Sequence, residues 1–182
     1  MMARKWFCMV SLALAFLAAV PLHLCAETGT TREYQVKGAF LYKFILFISW
    51  PAVAFATDES HFTIGVLGNN PFGSTLESLR GQNVKNRKLS VRHLAKVEDA
   101  VDCQIVFISV SERCRLRQIL TALHKTPVLT VSDIDGFARA GGMIRLISIE
   151  DKIRFEINLK ETQAANIRIS SQLLKLAHNV IE

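Results

Sequence analysis

Three stretches of this 182-residue chain carry residue types at spacings that chemistry can use. The first is GNNPFGST (68–75), which follows the apolar run FTIGVL and departs by one residue from a phosphate loop, G-x-x-x-x-G-K-[ST]. In such a loop, successive backbone N–H groups wrap the phosphates and the lysine neutralises their outer charge. Here Ser74 stands where the lysine belongs, and Pro71 removes one of the donors. The stretch is therefore expected to be a strand-to-helix turn with Ser74 as the helix cap. Asn69 and Asn70 would then lie at a strand end, where α/β sheets commonly meet small ligands or partners.

The second stretch is VSDIDGFARAGGM (131–143), with Asp133 and Asp135 spaced as in a calcium loop. The residues that follow supply no further ligands at that spacing, so a turn leading into a strand is expected and no metal is assigned. Ser132 and Asp133 join Asn69 and Asn70 as candidate contact residues at the strand ends. In the third, KIRFEINLKE (152–161), Asn158 and Glu161 fit a helix capping box. Glu156 would serve as a general acid only if buried beside a substrate. His61, His93, His124 and His178 have no metal-pair spacing, and HExxH, CxxC and G-x-S-x-G are all missing. No catalytic residue, cofactor or metal is assigned, and the chain is read as a non-enzyme.

Cysteine chemistry is the remaining option. Cys103 opens a predicted strand and Cys114 lies in the first turn of the helix after it. Six strand steps carry the chain about 20 Å away and one helical turn returns about 5 Å. A bridge needs Cα atoms within roughly 7 Å, so the expectation is free thiols or an intermolecular bond.

The elements that must position these residues follow from periodicity. The start, MMARKWFCMVSLALAFLAAVPLHLCAE, has Arg4 and Lys5, an apolar run, Pro21 and small residues at Cys25 and Ala26. That is the layout of a signal peptide over 1–26, cleaved near Ala26, and it implies export. The rest, 27–182, suits one domain. A helix is expected from Arg32 to Trp50, stopped by Pro51, with Val36, Phe40, Phe44, Phe47 and Ile48 on its apolar face and Lys37 and Lys43 off it. So apolar an N-terminal helix packs across a core or meets another protein, which makes Phe40, Phe44 and Phe47 candidate interface residues.

Strands are expected at 62–67, 88–94, 103–109 and 127–132, with helices at 74–80 and 111–125. MIRLISIED and KIRFEINL read as a late hairpin around Glu150 and Asp151, and 160–181 reads as helix, broken near Ser170 and Ser171. The fold class is α/β: a single compact domain with a mostly parallel sheet flanked by helices, a late β-hairpin and an apolar N-terminal helix. The net charge of +6 comes from scattered basic residues. In an exported protein this argues against nucleic acid as a partner.

Several motifs recur in one order: Y-x-V-K-x-A-F-L-Y-x-F ending in Trp50-Pro51, I-G-V-L-G-x-x-P-F-G from Ile64, and L-T-V-S-D-x-x-G-F-A-x-x-G-G-M-I from Leu129. R-F-E-I-N-L from Arg154 and S-S-Q-L-L-K-L-A from Ser170 complete the set. Together they resemble the YfiR-like family of small periplasmic proteins, over essentially the whole of 27–182. The resemblance implies a periplasmic regulator that represses an inner-membrane diguanylate cyclase of the YfiN type by contacting its periplasmic sensor region. An outer-membrane lipoprotein would relieve that repression, and homodimers are implied. Disulfides steady some members, but Ala138 and Ile144 are among the non-cysteine residues around Gly141-Gly142 here. Two alternatives stand beside this reading, an accessory to a sensor histidine kinase and a periplasmic small-molecule binding protein using Asn69, Asn70, Ser132 and Asp133.

Overall fold

The computed structural model describes residues 27–182, with side chains from Arg32 onward, and residues Thr31–Glu182 make one compact unit. The expected signal peptide, 1–26, lies outside the described residues. The unit is a mixed α/β domain with a mostly parallel sheet, as the alternating sequence pattern predicts.

The chain opens with helix α1, Glu27–Phe47, followed by a two-residue strand β1, Ile48–Ser49. Then come β2 (Phe62–Leu67), the hairpin β3 (Asn83–Val84) with β4 (Arg87–Leu94), β5 (Ile105–Ile108), helix α2 (Leu116–Ala122) and β6 (Leu129–Ser132). The second half adds β7 (Ile144–Ile149), β8 (Lys152–Asn158), α3 (Leu159–Ala164), β9 (Arg168–Ile169), α4 (Ser171–Leu176) and β10 (Asn179–Ile181). Eight strands form one sheet in the order β10-β8-β7-β6-β5-β2-β4-β3, while β1 and β9 make a separate antiparallel ribbon. Within the sheet only β3/β4 and β7/β8 are antiparallel.

The central strands β2, β5 and β6 are buried along their whole length. Alternate side chains feed two separate cores, as the period of two demands. Ile64, Ile105, Phe107, Leu129 and Val131 pack under Leu41, Phe44 and Ile45 of α1 and Ile48 of β1. Val106 and Ile108 pack on the opposite face against Ile119, Leu120 and Leu123, in and just after α2. Before α2, Val110–Arg115 forms a tighter 3-10 helix capped by the Ser109 side chain.

The late hairpin turns at Glu150 and Asp151, both with positive φ as a type I′ turn requires. A second turn of this kind, at Lys85 and Asn86, joins β3 to β4.

Several expectations need correction. Residues 74–80 do not form an α-helix; only a 3-10 turn, Glu77–Leu79, forms there, and its cap is Leu76 rather than Ser74. Residues 160–181 hold two short helices and two short strands, because 168–169 pair with β1 and 179–181 add in parallel to β8. Helix α1 ends at Phe47 rather than Trp50, since Ile48 and Ser49 leave it to pair with β9. Its buried face also differs from the expected one: Val36 is exposed while Lys37 is 4 % exposed.

Among the described residues, no helix is long and apolar enough to cross a membrane.

Candidate functional site

The sheet directs β2, β5 and β6 the same way, so their C-terminal ends and the loops after them share one edge. At the end of β2 the chain turns on Gly68, whose φ of +87° is a left-handed conformation that a side chain rarely adopts. A Cβ there would lie 2.4 Å from Ser111 Oγ, so glycine is required by space as well as by angle. The Asn69 N–H donates to Ser111 Oγ at 3.0 Å, and the Phe72 N–H donates to Asn70 Oδ1 at 2.9 Å, forming an Asx turn. That turn drives Phe72 into the core, edge-on to Phe107 at 4.7 Å and to Tyr34 at 5.5 Å.

GNNPFGST is thus held as a turn by its own side chains. The carboxylate of Glu112, paired with Arg115, also fills the space against Gly68. No α-helix follows to present N–H groups to an anion.

Asp133, just past β6, turns toward α1. Its Oδ2 accepts hydrogen bonds from the Tyr34 hydroxyl at 2.8 Å and from Lys37 Nζ at 2.6 Å. Lys37 also pairs with Glu33 at 2.6 Å and lies 4.4 Å from the Tyr34 ring centroid. The Lys37 and Asp133 side chains are 5 % and 7 % exposed, and Asp133 Oδ1 is buried without a hydrogen-bond partner. Burial first, then the hydrogen bond and charge of Asp133 and the charge of Glu33, raise the Tyr34 pKa above its ordinary value. Tyr34 touches both Phe72 and Asp133, so it joins the GNNPFGST turn to the end of β6.

Sequence reasoning missed Tyr34 and Lys37, which lie 99 and 96 residues from Asp133. The available signal was a lysine set at helical spacing from Leu41, Phe44 and Ile48.

The four strand-end residues do not form one ligand cradle. Ser132 is fully buried; its Oγ donates to the Ile108 carbonyl at 2.6 Å and accepts the Ile134 N–H at 3.1 Å. Asn70 is occupied by its turn, and Asp133 by the α1 contacts. Asp135 is exposed and pairs with Arg145, which also reaches Glu156 at 3.4 Å. Glu156 is thereby a partner of arginine. Among the described residues, no cluster of three or more His, Cys, Asp or Glu side chains is placed to hold a metal. Asn158 caps α3 by accepting the Glu161 N–H at 3.1 Å and also donates to the Ala138 carbonyl at 2.8 Å. The Glu161 carboxylate meets His124 Nδ1 at 3.3 Å.

Of the three candidate interface phenylalanines, Phe44 is fully buried against Phe155, with ring centroids 5.4 Å apart, and offers a partner no surface. Phe40 and Phe47 are half-buried at the margin of that core. Among the described residues, the large apolar side chains that α1 exposes are Val36 and Leu46.

Among the described residues Cys103 and Cys114 are free, the first buried and the second exposed. Burial pushes the Cys103 thiol from 9.0 up to about 11. The folded protein therefore keeps this proton between about pH 9 and 11 while the unfolded chain gives it up, so stability falls across that window. Tyr34 acts in the same direction. We expect Cys103→Ala to flatten that alkaline loss in pH-resolved urea melts; an unchanged slope would show that the thiol is not protected. At neutral pH, iodoacetamide should label Cys114 and spare Cys103 until the protein unfolds.

A larger concavity lies elsewhere, where the β1–β9 ribbon meets α3 and α4. It is an open cleft of about 840 Å³. Trp50 forms part of its wall, fixed by an indole N–H bond to the Gln104 carbonyl at 2.9 Å and by edge-on contact with Phe62 at 4.9 Å. Gln104 in turn holds Ala54 and the Thr63 N–H, so the Trp50-Pro51 segment is tied to β2 and β5.

The motifs that run through these elements are those of a known family. Residues 34–178 match the model of the YfiR/HmsC-like family, which spans the domain from Tyr34 to the residue before β10. The chain belongs to the YfiR/HmsC-like family. Membership supports, at the level of the family, a periplasmic regulator of cyclic-di-GMP signalling that acts on a membrane signalling protein and is regulatory rather than catalytic. No curated protein matches the chain. A solved structure of an ABC domain in complex with L-Trp from Streptococcus pneumonia aligns at 11 % identity with a TM-score of 0.48. The alignment covers 66 % of this chain and 55 % of that one, and a likeness this low carries no argument about function.

Proposed function

We propose that this YfiR/HmsC-like protein is exported by a signal peptide over 1–26 and represses an inner-membrane diguanylate cyclase of the YfiN type. It does so by binding the cyclase's periplasmic sensor region, which lowers cyclic-di-GMP and biofilm formation. The observation that carries the reading is the family match over residues 34–178. The geometry is compatible with it: Asn70, Ser132, Asp133, Glu156 and Asn158 are committed to turns, backbone carbonyls, caps and ion pairs, which suits a binding module.

Repression needs only unequal affinity for two states of the partner. A ligand that binds one state about 100-fold better shifts the equilibrium by about 2.7 kcal/mol, enough to bias a two-state sensor strongly. Release by an outer-membrane lipoprotein and self-association belong to the same proposal.

Deleting the gene is expected to raise intracellular cyclic-di-GMP and biofilm mass severalfold, with complementation restoring both. Unchanged cyclic-di-GMP in the deletion strain would remove the cyclase-repressor reading.

A further inference from the structure

The cleft between the β1–β9 ribbon and the C-terminal helices is made unlike the rest of the surface. Trp50, Pro51, Ile169 and Leu174 give it an apolar floor, and all four are only partly buried. None of its lining residues is acidic. Its one charged lining residue, Arg168, is exposed and forms no ion pair among the described residues. Lys85 adds a second cation beside the wall, 5.8 Å from the Trp50 ring. The two ribbon strands pair only with each other, so each has one edge without a strand neighbour. Lys85 Nζ bonds the Ile48 carbonyl on β1.

An apolar trough with unanswered positive charge fits an extended segment whose apolar side chains alternate with carboxylates. We propose that this cleft is a docking groove for such an acidic-apolar segment of a protein partner. The segment's apolar side chains lie on Trp50 and Leu174, and a carboxylate answers Arg168. Trp50 suits the role of anchor because its ring is already fixed by Gln104 and Phe62, so little side-chain entropy is lost on binding. The inference rests on the partner-binding reading above and gives it a place on the surface.

The test places the photocrosslinker p-benzoylphenylalanine at Gln163, in the cleft wall, or at exposed Arg117 on α2, which packs on the opposite face of the sheet, in the full chain expressed in the native bacterium. Irradiated envelopes are analysed by mass spectrometry for the crosslinked peptide. Position 163 is expected to capture the periplasmic region of an inner-membrane signalling protein, within a segment bearing Asp or Glu beside apolar residues. Position 117 is expected to capture none of it. Arg168→Glu should cut the yield at 163 about tenfold, since charge reversal sets like charges together, with thermal melting unchanged because the side chain is exposed.

Capture of a second copy of this chain at 163, capture of the same partner only at 117, or undiminished yield from Arg168→Glu would each overturn the groove. If deletion raises cyclic-di-GMP while position 163 stays silent, the groove fails and the regulatory reading stands. If deletion has no effect and neither position captures a membrane protein, both fail.

Discussion

Lys37→Met is expected to lower the unfolding free energy by about 3–5 kcal/mol, the usual consequence of leaving one member of a buried ion pair alone. Asp133 is 7 % exposed and has Lys37 and Tyr34 as its hydrogen-bond donors. Without the ammonium, the carboxylate keeps a single hydroxyl donor and one oxygen that is already unpaired. For a domain of this size the loss corresponds to a melting temperature lower by roughly 10 °C. Asp133→Asn should cost less, because Lys37 retains Glu33 and Asn can still accept from Tyr34. The double variant Lys37→Met, Asp133→Asn is expected to recover at least half of the loss, which a double-mutant cycle in urea reads directly. A single Lys37→Met variant within 1 kcal/mol of the parent would show that the pair does not hold α1 to the sheet.

Phe44→Ala is expected to cost about 3–5 kcal/mol, as for other buried phenylalanines truncated in a close-packed core. The ring is fully buried and meets Phe40 and Phe155 at centroid distances of 6.0 and 5.4 Å. Removing it leaves a void that α1 and the β7–β8 hairpin cannot both move to fill. Leu46→Ala, on the outward face of α1 at 52 % exposure, should change stability by less than about 0.5 kcal/mol. Any effect of Leu46→Ala on cyclic-di-GMP control would then report partner contact by the outward face of α1. Equal stability losses in the two variants would contradict the placement of the helix.

The contrast between Phe44 and Lys37 shows why helical periodicity placed the helix and misjudged its rotation. The stripe read from Val36 through Ile48 treats each apolar residue as inward-facing. The helix face that actually packs is Lys37, Gly38, Leu41, Phe44 and Ile45. A lysine at the head of that face looks wrong until Asp133, 96 residues away, arrives to answer it. Gly38 is selected for a related reason, since a Cβ there would lie 2.9 Å from the Thr75 methyl. In the same way, 160–181 reads as helix by local pattern alone. It becomes helix, strand, helix and strand because β1 and β8 each offer an edge that 168–169 and 179–181 complete. Short strands gain most of their stability from neighbours, and those neighbours are distant in sequence.

What the sequence determined by itself was the layered architecture and the family. Runs such as FTIGVL and LTVS carry enough burial signal to be central strands in any context, and the motif order from Tyr34 to Ala177 matches one family. It also settled that GNNPFGST is a turn, since Pro71 and the missing lysine are local facts. The tertiary structure alone decided which polar residues stay free. Asn70, Ser132 and Asp133 look available as a string of letters, but the folded chain commits each of them to a turn, a strand carbonyl or a buried lysine. The open surface lies instead around Trp50 and Arg168, residues 118 positions apart that meet only because β1 pairs with β9. Periodicity reports which side of an element faces inward; only the pairing of elements fixes what each side chain meets there.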